Sequence, residues 1–170
     1  MEYYSYEVLN IDKLKFSEID LNDIFFDSLK IDYNEVDFTN WFKMKQENSE
    51  LVFVYKEENT SKIEGFLYLK VEDINENYHD SIIPNFAPKK RLKIGTFKIT
   101  KNGYKMGERF LKIIFDNAKL NLVEEVYVTI IENNNEKQIL VKLLKEYGFE
   151  KWGIKNEYEN VYVKKNELRF

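Results

Sequence analysis

The stretch from residue 91 to residue 118 decides how the rest of this 170-residue chain can be interpreted. It reads RLKIGTFKIT at 91–100, KNGYKMGE at 101–108 and RFLKIIFDNA at 109–118. The first segment alternates apolar and polar residues and predicts a β-strand, whereas the last repeats apolar residues at helical spacing and predicts an amphipathic helix. The glycine-containing loop between them meets a helix N-terminus, where backbone N–H groups and the helix dipole favour an anion. An ordinary strand-to-helix turn would show the same local pattern.

Composition restricts the class of protein. A length of 170 residues, 44% hydrophobic and 33% charged, predicts one domain over residues 1–170 with a full core. The absence of cysteine excludes disulfides and thiolate metal sites, and we expect no metal. With no signal sequence and no apolar run of membrane-spanning length, we predict a cytoplasmic protein without a membrane partner. A net charge of −4 argues against a nucleic-acid partner.

The remaining segments extend the pattern along the chain. Further strands are predicted at residues 3–9, 51–56, 63–71, 124–130, 149–155 and 158–164, and further helices at 19–29, 35–47 and 137–147. Residues 73–90 form one long irregular segment that holds both prolines and the only histidine, His79, which we interpret as a surface residue. The order β-α-α-β-β-β-α-β-α-β-β predicts an α/β (α+β) fold.

This order and two short motifs resemble the GNAT acetyltransferase superfamily. The family's loop R/Q-x-x-G-x-G/A after its fourth strand is similar to NGYKMG at residues 102–107, where Asn102 replaces Arg or Gln and Lys105 replaces the first glycine. The segment LKEYGF at residues 144–149 resembles the L-Y-x-x-x-G-F ending of the family's fourth helix. The resemblance implies a central mixed sheet flanked by helices and split between its fourth and fifth strands, with acetyl-CoA in the cleft.

The same resemblance assigns residues to the acetyl-CoA donor. The main chain of Phe97, Lys98 and Ile99 would pair with the pantetheine arm. The pyrophosphate would lie on the loop and the first helical amides, formed by Asn102, Gly103, Tyr104, Lys105, Met106, Gly107 and Glu108. Asn133 and Asn135 fall where the family often has an asparagine near the cofactor, although the asparagine run 133–135 could equally cap the next helix.

Catalytic residues are less clearly marked. Acyl transfer to an amine requires a base, an oxyanion stabiliser and an acid for the leaving thiolate. The family's usual acid is a tyrosine five residues before the G-F phenylalanine, and that position is Leu144 here. Tyr147 is the candidate substitute, with a core or rim aromatic as the alternative. Glu132, just past the fifth strand, is the candidate base unless it is a solvated surface residue, and Glu72 is a weaker candidate.

Three classes of function stay open. The first is an acetyl-CoA-dependent N-acetyltransferase acting on a primary amine of a small molecule, an aminoacyl group or a protein. The second is a non-catalytic GNAT-fold module that binds acyl-CoA or a partner protein. The third is an RNA- or ribosome-associated factor that uses the basic run at residues 89–91. An aromatic content of 16% also leaves a homodimer open.

Overall fold

The computed structural model describes residues 10–76, 79–100 and 104–167. The chain divides into two compact units, Met1–Phe66 and Leu67–Phe170. The helices are α1 Asp27–Asp32, α2 Glu35–Glu47, α3 Tyr104–Leu120 and α4 Asn135–Glu146. The strands are β1 Ile11–Lys15, β2 Leu51–Lys56, β3 Ile63–Glu72, β4 Ile82–Ile83, β5 Arg91–Ile99, β6 Glu125–Ile130, β7 Glu150–Lys155 and β8 Glu159–Lys165. Whether the two units act as one domain stays a prediction.

The predicted α/β order is confirmed, with one addition and two changes at the start of the chain. The two-residue β4 is added within the irregular segment, so the predicted fourth and fifth strands are β5 and β6. The predicted strand at 3–9 lies outside the described residues, and a strand is found instead at Ile11–Lys15. The predicted helix at 19–29 is wrong in extent because the Asp23 carboxylate accepts from the Phe25 amide at 2.9 Å and starts a 3₁₀ turn there, followed by α1.

The first unit has an aromatic core. Six buried rings lie in mutual contact, with centroid separations of 5.1 to 6.2 Å and several edge-to-face pairs: Phe16, Phe25, Phe26, Phe38, Phe42 and Phe66. Helix α2 begins where the Asn34 side chain accepts from the Val36 amide at 3.0 Å. Strands β1 and β2 are antiparallel in this unit, with Ile11 opposite Tyr55 and Lys15 opposite Leu51.

The second unit contains a mixed sheet in the order β3-β5-β6-β8-β7-β4. Strands β5 and β6 are parallel, whereas the β6–β8, β7–β8 and β4–β7 pairs are antiparallel. One face, which we call the loop face, carries Tyr127 and Val161 beneath Ile82 and Phe86 of the irregular segment. Side chains alternate along each strand, so the intervening buried residues Leu92, Ile94, Val126 and Val128 point to the opposite face.

Helices α3 and α4 cover that opposite face, which we call the helix face. These two helices lie in the second unit and bury the apolar side chains of the helix face. They contribute Phe110, Ile114 and Leu144, each of which is fully buried. Helix α4 ends as predicted, because Gly148 has a φ of +96° and the Phe149 amide donates to the Leu144 carbonyl at 3.0 Å. In the described part of the chain, every helix is too short or too polar to cross a membrane.

The edge of the sheet is closed by the two residues of β4. Ile82 pairs with Lys155 and Ile83 pairs with Ile154 of β7. Gly153 is required beneath this contact, because a Cβ there would collide with the main-chain carbonyl of Ile83. Beyond β4 the connection is fixed by the Trp152 indole, whose Nε1 donates to the Pro84 carbonyl at 3.1 Å.

Candidate functional site

Strands β5 and β6 separate in the middle of the sheet. Their parallel pairing runs from Arg91 opposite Glu125 to Ile94 opposite Val128. Beyond that pair β5 continues to Ile99 and β6 to Ile130. The sheet therefore opens between these strands beyond Ile94, which matches the split implied by the family resemblance.

The opening coincides with an irregularity in β5. A Cβ at Gly95 would lie 2.6 Å from Cδ1 of Tyr68, so Gly95 faces the side of the sheet that Tyr68 occupies. Tyr68 lies four residues before Glu72 on β3, and Glu72 contacts Tyr127 on the loop face. Phe97, however, packs on Phe110 of α3 at 5.6 Å, on the helix face. Residues two apart normally share a face, so the strand is distorted around Thr96, and the simple alternation predicted for this strand is wrong beyond Gly95.

Helix α3 begins close after the opening. It starts at Tyr104, so residues 104–107 form its first turn, and the prediction of a loop there is wrong. Asn102 and Gly103 lie outside the described residues. Lys105 is exposed and Met106 is buried. The first turn of this 17-residue helix presents N–H groups that have no partner within the helix, as an anion site requires.

Gly107 is explained by packing between the two helices. It is buried, and a Cβ at this position would overlap Cδ2 of Leu143 in α4. Glycine therefore lets α3 and α4 approach closely, and a larger residue here would force the Leu143 side chain to shift. A substitution at this position would disturb the helix pair whether or not a phosphate binds nearby.

The two predicted catalytic residues both occupy the helix face. The Tyr147 hydroxyl donates to Glu108 Oε1 of α3 at 2.6 Å, and the ring lies 6.4 Å from Phe115. Leu144, where the family's tyrosine would stand, is fully buried. Glu132 accepts from the Tyr162 hydroxyl at 2.6 Å and from the Asn160 amide. Burial, followed by the hydrogen bond to Glu132, raises the pKa of Tyr162.

The asparagine run begins helix α4. Asn134 is the N-cap, and its side-chain oxygen accepts from the Lys137 amide at 2.9 Å. The Asn133 side chain accepts from the Lys137 ammonium at 3.1 Å, and Asn135 is the exposed first residue of the helix. Helix capping, one of the two interpretations of this run, is therefore confirmed for Asn134, while contact of Asn133 or Asn135 with a cofactor stays a prediction.

A polar network is buried on the loop face. The Tyr127 hydroxyl donates to Glu72 Oε1 at 2.6 Å, and His79 Nε2 lies 3.5 Å from the same oxygen. Burial, reinforced by the hydrogen bond to Glu72, raises the pKa of Tyr127. The His79 ring packs against Phe86 at 5.1 Å and against Tyr127 at 5.4 Å. The interpretation of His79 as a surface residue is wrong, because the irregular segment folds back over the sheet.

Burial also sets the charge of His79. Its side chain is 9% exposed, and burial lowers its pKa below the ordinary value of 6.5. The nearby Glu72 carboxylate opposes this shift, whereas the cations Arg91, Lys93 and Lys155 add to it. The imidazole is therefore neutral near pH 7 and can accept a proton.

Arg91, the last residue of the basic run at 89–91, lies in the core and not on the surface. Arg91 is 1% exposed, and its Nε donates to Glu125 Oε1 at 2.7 Å. Its guanidinium lies 3.6 Å from the centre of the Phe86 ring and donates to the Ala87 carbonyl at 2.7 Å. Sequence reasoning missed this role because the partner, Glu125, lies 34 residues away.

This architecture, a mixed sheet that opens between two parallel strands beside a helix N-terminus, is the fold of the GNAT acetyltransferases. An N-acetyltransferase from Staphylococcus aureus superposes with a TM-score of 0.57 at 17% identity, over 93% of this chain and 98% of that one. A GNAT-family acetyltransferase from Bacillus cereus gives a TM-score of 0.54 at 19% identity, over 94% and 99%. The PaiA N-acetyltransferase from Thermoplasma acidophilum, solved with coenzyme A, gives 0.51 at 14% identity, over 88% and 82%. No protein-family model matches the sequence, and no curated protein matches it.

Proposed function

We propose that this chain is an acetyl-CoA-dependent N-acetyltransferase that transfers an acetyl group directly to a primary amine. The observation that carries the proposal is the separation of β5 from β6 after Ile94 and Val128, just before the N-terminus of α3. Structures with this fold include N-acetyltransferases, one of them solved with coenzyme A. Its location in the cytoplasm stays a prediction.

The donor would lie along the opening. The main chain of Phe97, Lys98 and Ile99 borders it and would pair with the pantetheine arm. The first-turn N–H groups of α3 and the exposed Lys105 would hold the pyrophosphate, because a helix N-terminus and an ammonium both favour phosphate. Gly107 would support this site by allowing α4 to pack closely. Acetyl-CoA supplies an activated thioester, so the reaction needs no separate activation of the acyl group.

The acceptor amine and the leaving thiol would lie on opposite faces of the sheet. Because α3 and α4 cover the helix face, the amine would approach from the loop face and the thiol would leave on the helix side. In the transfer, the amine nitrogen bonds to the acyl carbon, the carbon–sulfur bond breaks, and the proton lost by the amine ends on the sulfur. We propose Tyr147 as the group that supplies a proton on the helix side.

The base for the amine is better placed on the other face. Glu132 was predicted for this role, but its carboxylate binds Tyr162 and Asn160 on the helix face. Glu72 lies on the loop face, held by Tyr127 and close to the neutral His79. We therefore propose Glu72, the weaker candidate from the sequence, as the base.

A non-catalytic acyl-CoA-binding module is the second candidate. It is favoured by the buried Leu144 where the family's tyrosine would stand, and turnover distinguishes it from an enzyme. The RNA-binding alternative rested on the basic run, and the burial of Arg91 removes one of its three cations from the surface.

Calorimetric titration with acetyl-CoA tests the donor site. We compare the native chain with Lys105→Glu, and use Lys119→Glu, an exposed lysine in the last turn of the same helix, as the matched control. We expect Lys105→Glu to weaken binding by about tenfold, as loss of a charge-assisted contact does, and the control to bind like the native chain. If the native chain does not bind acetyl-CoA, the proposed function is wrong. Binding without thiol release across a panel of amines would favour the non-catalytic module.

A further inference from the structure

A group of three charged side chains and one hydroxyl side chain gathers on the loop face at the end where β5 and β6 separate. We call it the Lys93 cluster, and it consists of Lys93, Thr129, Lys155 and Glu159. Lys93 is opposite Tyr127, one residue pair before the last pair of β5 and β6. Thr129 follows two residues later on β6 and therefore faces the same side as Tyr127.

Two further strands complete the cluster. The Thr129 hydroxyl lies 3.5 Å from Glu159 Oε1 of β8. Glu159 is opposite Lys155 of β7, and Lys155 is opposite Ile82, which packs with Tyr127 on the loop face. Four strands thus bring these side chains to one place beside the opening.

Three other buried charges on the loop face, Arg91, Glu125 and Glu72, are matched by partners. Arg91 pairs with Glu125 at 2.7 Å, and Glu72 accepts from Tyr127 at 2.6 Å. Lys93 and Lys155 differ, since within residues 10–76, 79–100 and 104–167 neither has a carboxylate oxygen within 4.0 Å. Both are partly buried. Burial first, and the neighbouring Lys155 second, lower the pKa of Lys93.

Two partly buried lysines next to each other are unfavourable, and the Glu72 and Glu159 carboxylates oppose the lowered pKa of Lys93 without reversing it. A further negative group would therefore stabilise the pair. A charged group perturbed by burial and by a specific neighbour, beside the opening between β5 and β6, is a candidate for a functional site. We propose that the acceptor carries an anionic group, a carboxylate or a phosphate, which Lys93 and Lys155 bind while its amine reaches the opening between β5 and β6. This inference rests on the proposed function, because the amine of this acceptor is the group that receives the acetyl.

Thiol release with matched pairs of amines tests the inference. The pairs are alanine against alanine amide and O-phosphoethanolamine against ethanolamine, so that carboxylate and phosphate are examined separately. For at least one pair we expect kcat/KM to be about tenfold higher for the anionic member, as a charge-assisted contact predicts. Lys93→Gln and Lys155→Gln should remove that preference by raising KM for the anionic amine, with kcat and the neutral amine little changed.

Two further variants separate charge from structure. Lys93→Arg should keep most of the preference, because it keeps the charge. Lys151→Gln, an exposed lysine on the same strand as Lys155, should behave like the native chain. The inference would be overturned if alanine amide matched or exceeded alanine and ethanolamine matched or exceeded O-phosphoethanolamine, or if spermidine reacted faster than both anionic amines. An anion preference that survives in Lys93→Gln would also overturn it.

A binding measurement without acetyl-CoA keeps the inference separate from the proposed function. O-phosphoethanolamine or alanine at millimolar concentration should raise the melting temperature of the native chain, because a ligand that binds only the folded state stabilises it. The same shift in Lys93→Gln, or no shift with either compound, would overturn the anion site. Failure of acetyl-CoA to bind in calorimetry would instead overturn the transferase.

Discussion

The aromatic core of the first unit and the polar network of the second are both buried, but they depend on different interactions. Six phenylalanine rings fill the first, and their contacts require only shape and volume. On the loop face of the second unit, Arg91, Glu125, Glu72 and Tyr127 meet through specific donors and acceptors. The packed rings stabilise the first unit without a fixed hydrogen-bond geometry, whereas the paired charges hold specific side chains on the loop face, at the end of the β5–β6 pairing opposite to the opening.

The largest effect is expected from removing a ring of the aromatic core. Phe26 is fully buried and contacts four other rings, so Phe26→Ala should reduce the free energy of unfolding by about 3–5 kcal/mol. Urea unfolding followed by circular dichroism measures the change. The control Ile31→Ala removes a side chain that is 81% exposed and should change stability by less than about 0.5 kcal/mol. Equal effects would mean that this core is not close-packed.

Breaking the Arg91–Glu125 ion pair on the loop face should be nearly as severe. Arg91→Met leaves Glu125 buried without its guanidinium partner, and we expect a loss of about 3 kcal/mol in urea unfolding. The value lies at the lower end for such pairs because the Lys89 ammonium remains 3.7 Å from Glu125. The double variant Arg91→Met, Glu125→Leu should recover most of the loss, since no charge is then left unpaired. A double variant as unstable as the single one would contradict this account.

Removing one hydroxyl group from the polar network should have a smaller effect on the free energy of unfolding. Tyr127→Phe deprives the buried Glu72 of its donor at 2.6 Å and should reduce the free energy of unfolding by about 1–3 kcal/mol. If Glu72 is the base, the same variant should also shift the pH dependence of kcat, which a purely structural role would not do. Tyr158→Phe removes a hydroxyl from a side chain that is 60% exposed and serves as the control.

The smallest effect is a dependence of stability on pH through His79. Its pKa is below 6.5 in the folded chain, so between that pKa and 6.5 the unfolded chain binds more protons. Stability should therefore fall as the pH decreases below 6.5, by at most about 1.4 kcal/mol per pH unit from this group. Urea unfolding between pH 7 and pH 5 should show a shallower decline for His79→Gln than for the native chain. An identical decline would assign the effect to other groups.

Local signals predicted much of the fold. Helix α2 was predicted at residues 35–47 and is found at Glu35–Glu47, because its N-cap and apolar spacing are encoded in adjacent residues. The end of α4 at Gly148 is another local signal. The split of the sheet followed from the family resemblance and was confirmed by the register of β5 and β6.

The candidate site was less predictable because its features depend on distant partners. The distortion of β5 is determined by Tyr68 on one face and Phe110 on the other, neither adjacent in sequence. The sequence predicts Gly107 as part of a phosphate-binding loop, yet a Cβ at this position would first meet the side chain of Leu143, which lies 36 residues later in the chain. His79 lacked any pattern because the ring pair that buries it, Phe86 and Tyr127, forms only when the irregular segment folds over the sheet.

The two residues of β4 have a consequence for self-association. An uncovered strand at the edge of a sheet offers its main-chain hydrogen-bonding groups to another chain and promotes aggregation. Here β4 occupies the positions opposite Ile154 and Lys155, and Pro84 follows it at once with no N–H to donate. A second copy of the chain could pair with Ile154 and Lys155 of β7 only by displacing β4. The two-residue strand thus blocks extension of the sheet at these positions, and the Trp152–Pro84 hydrogen bond holds the chain that follows it.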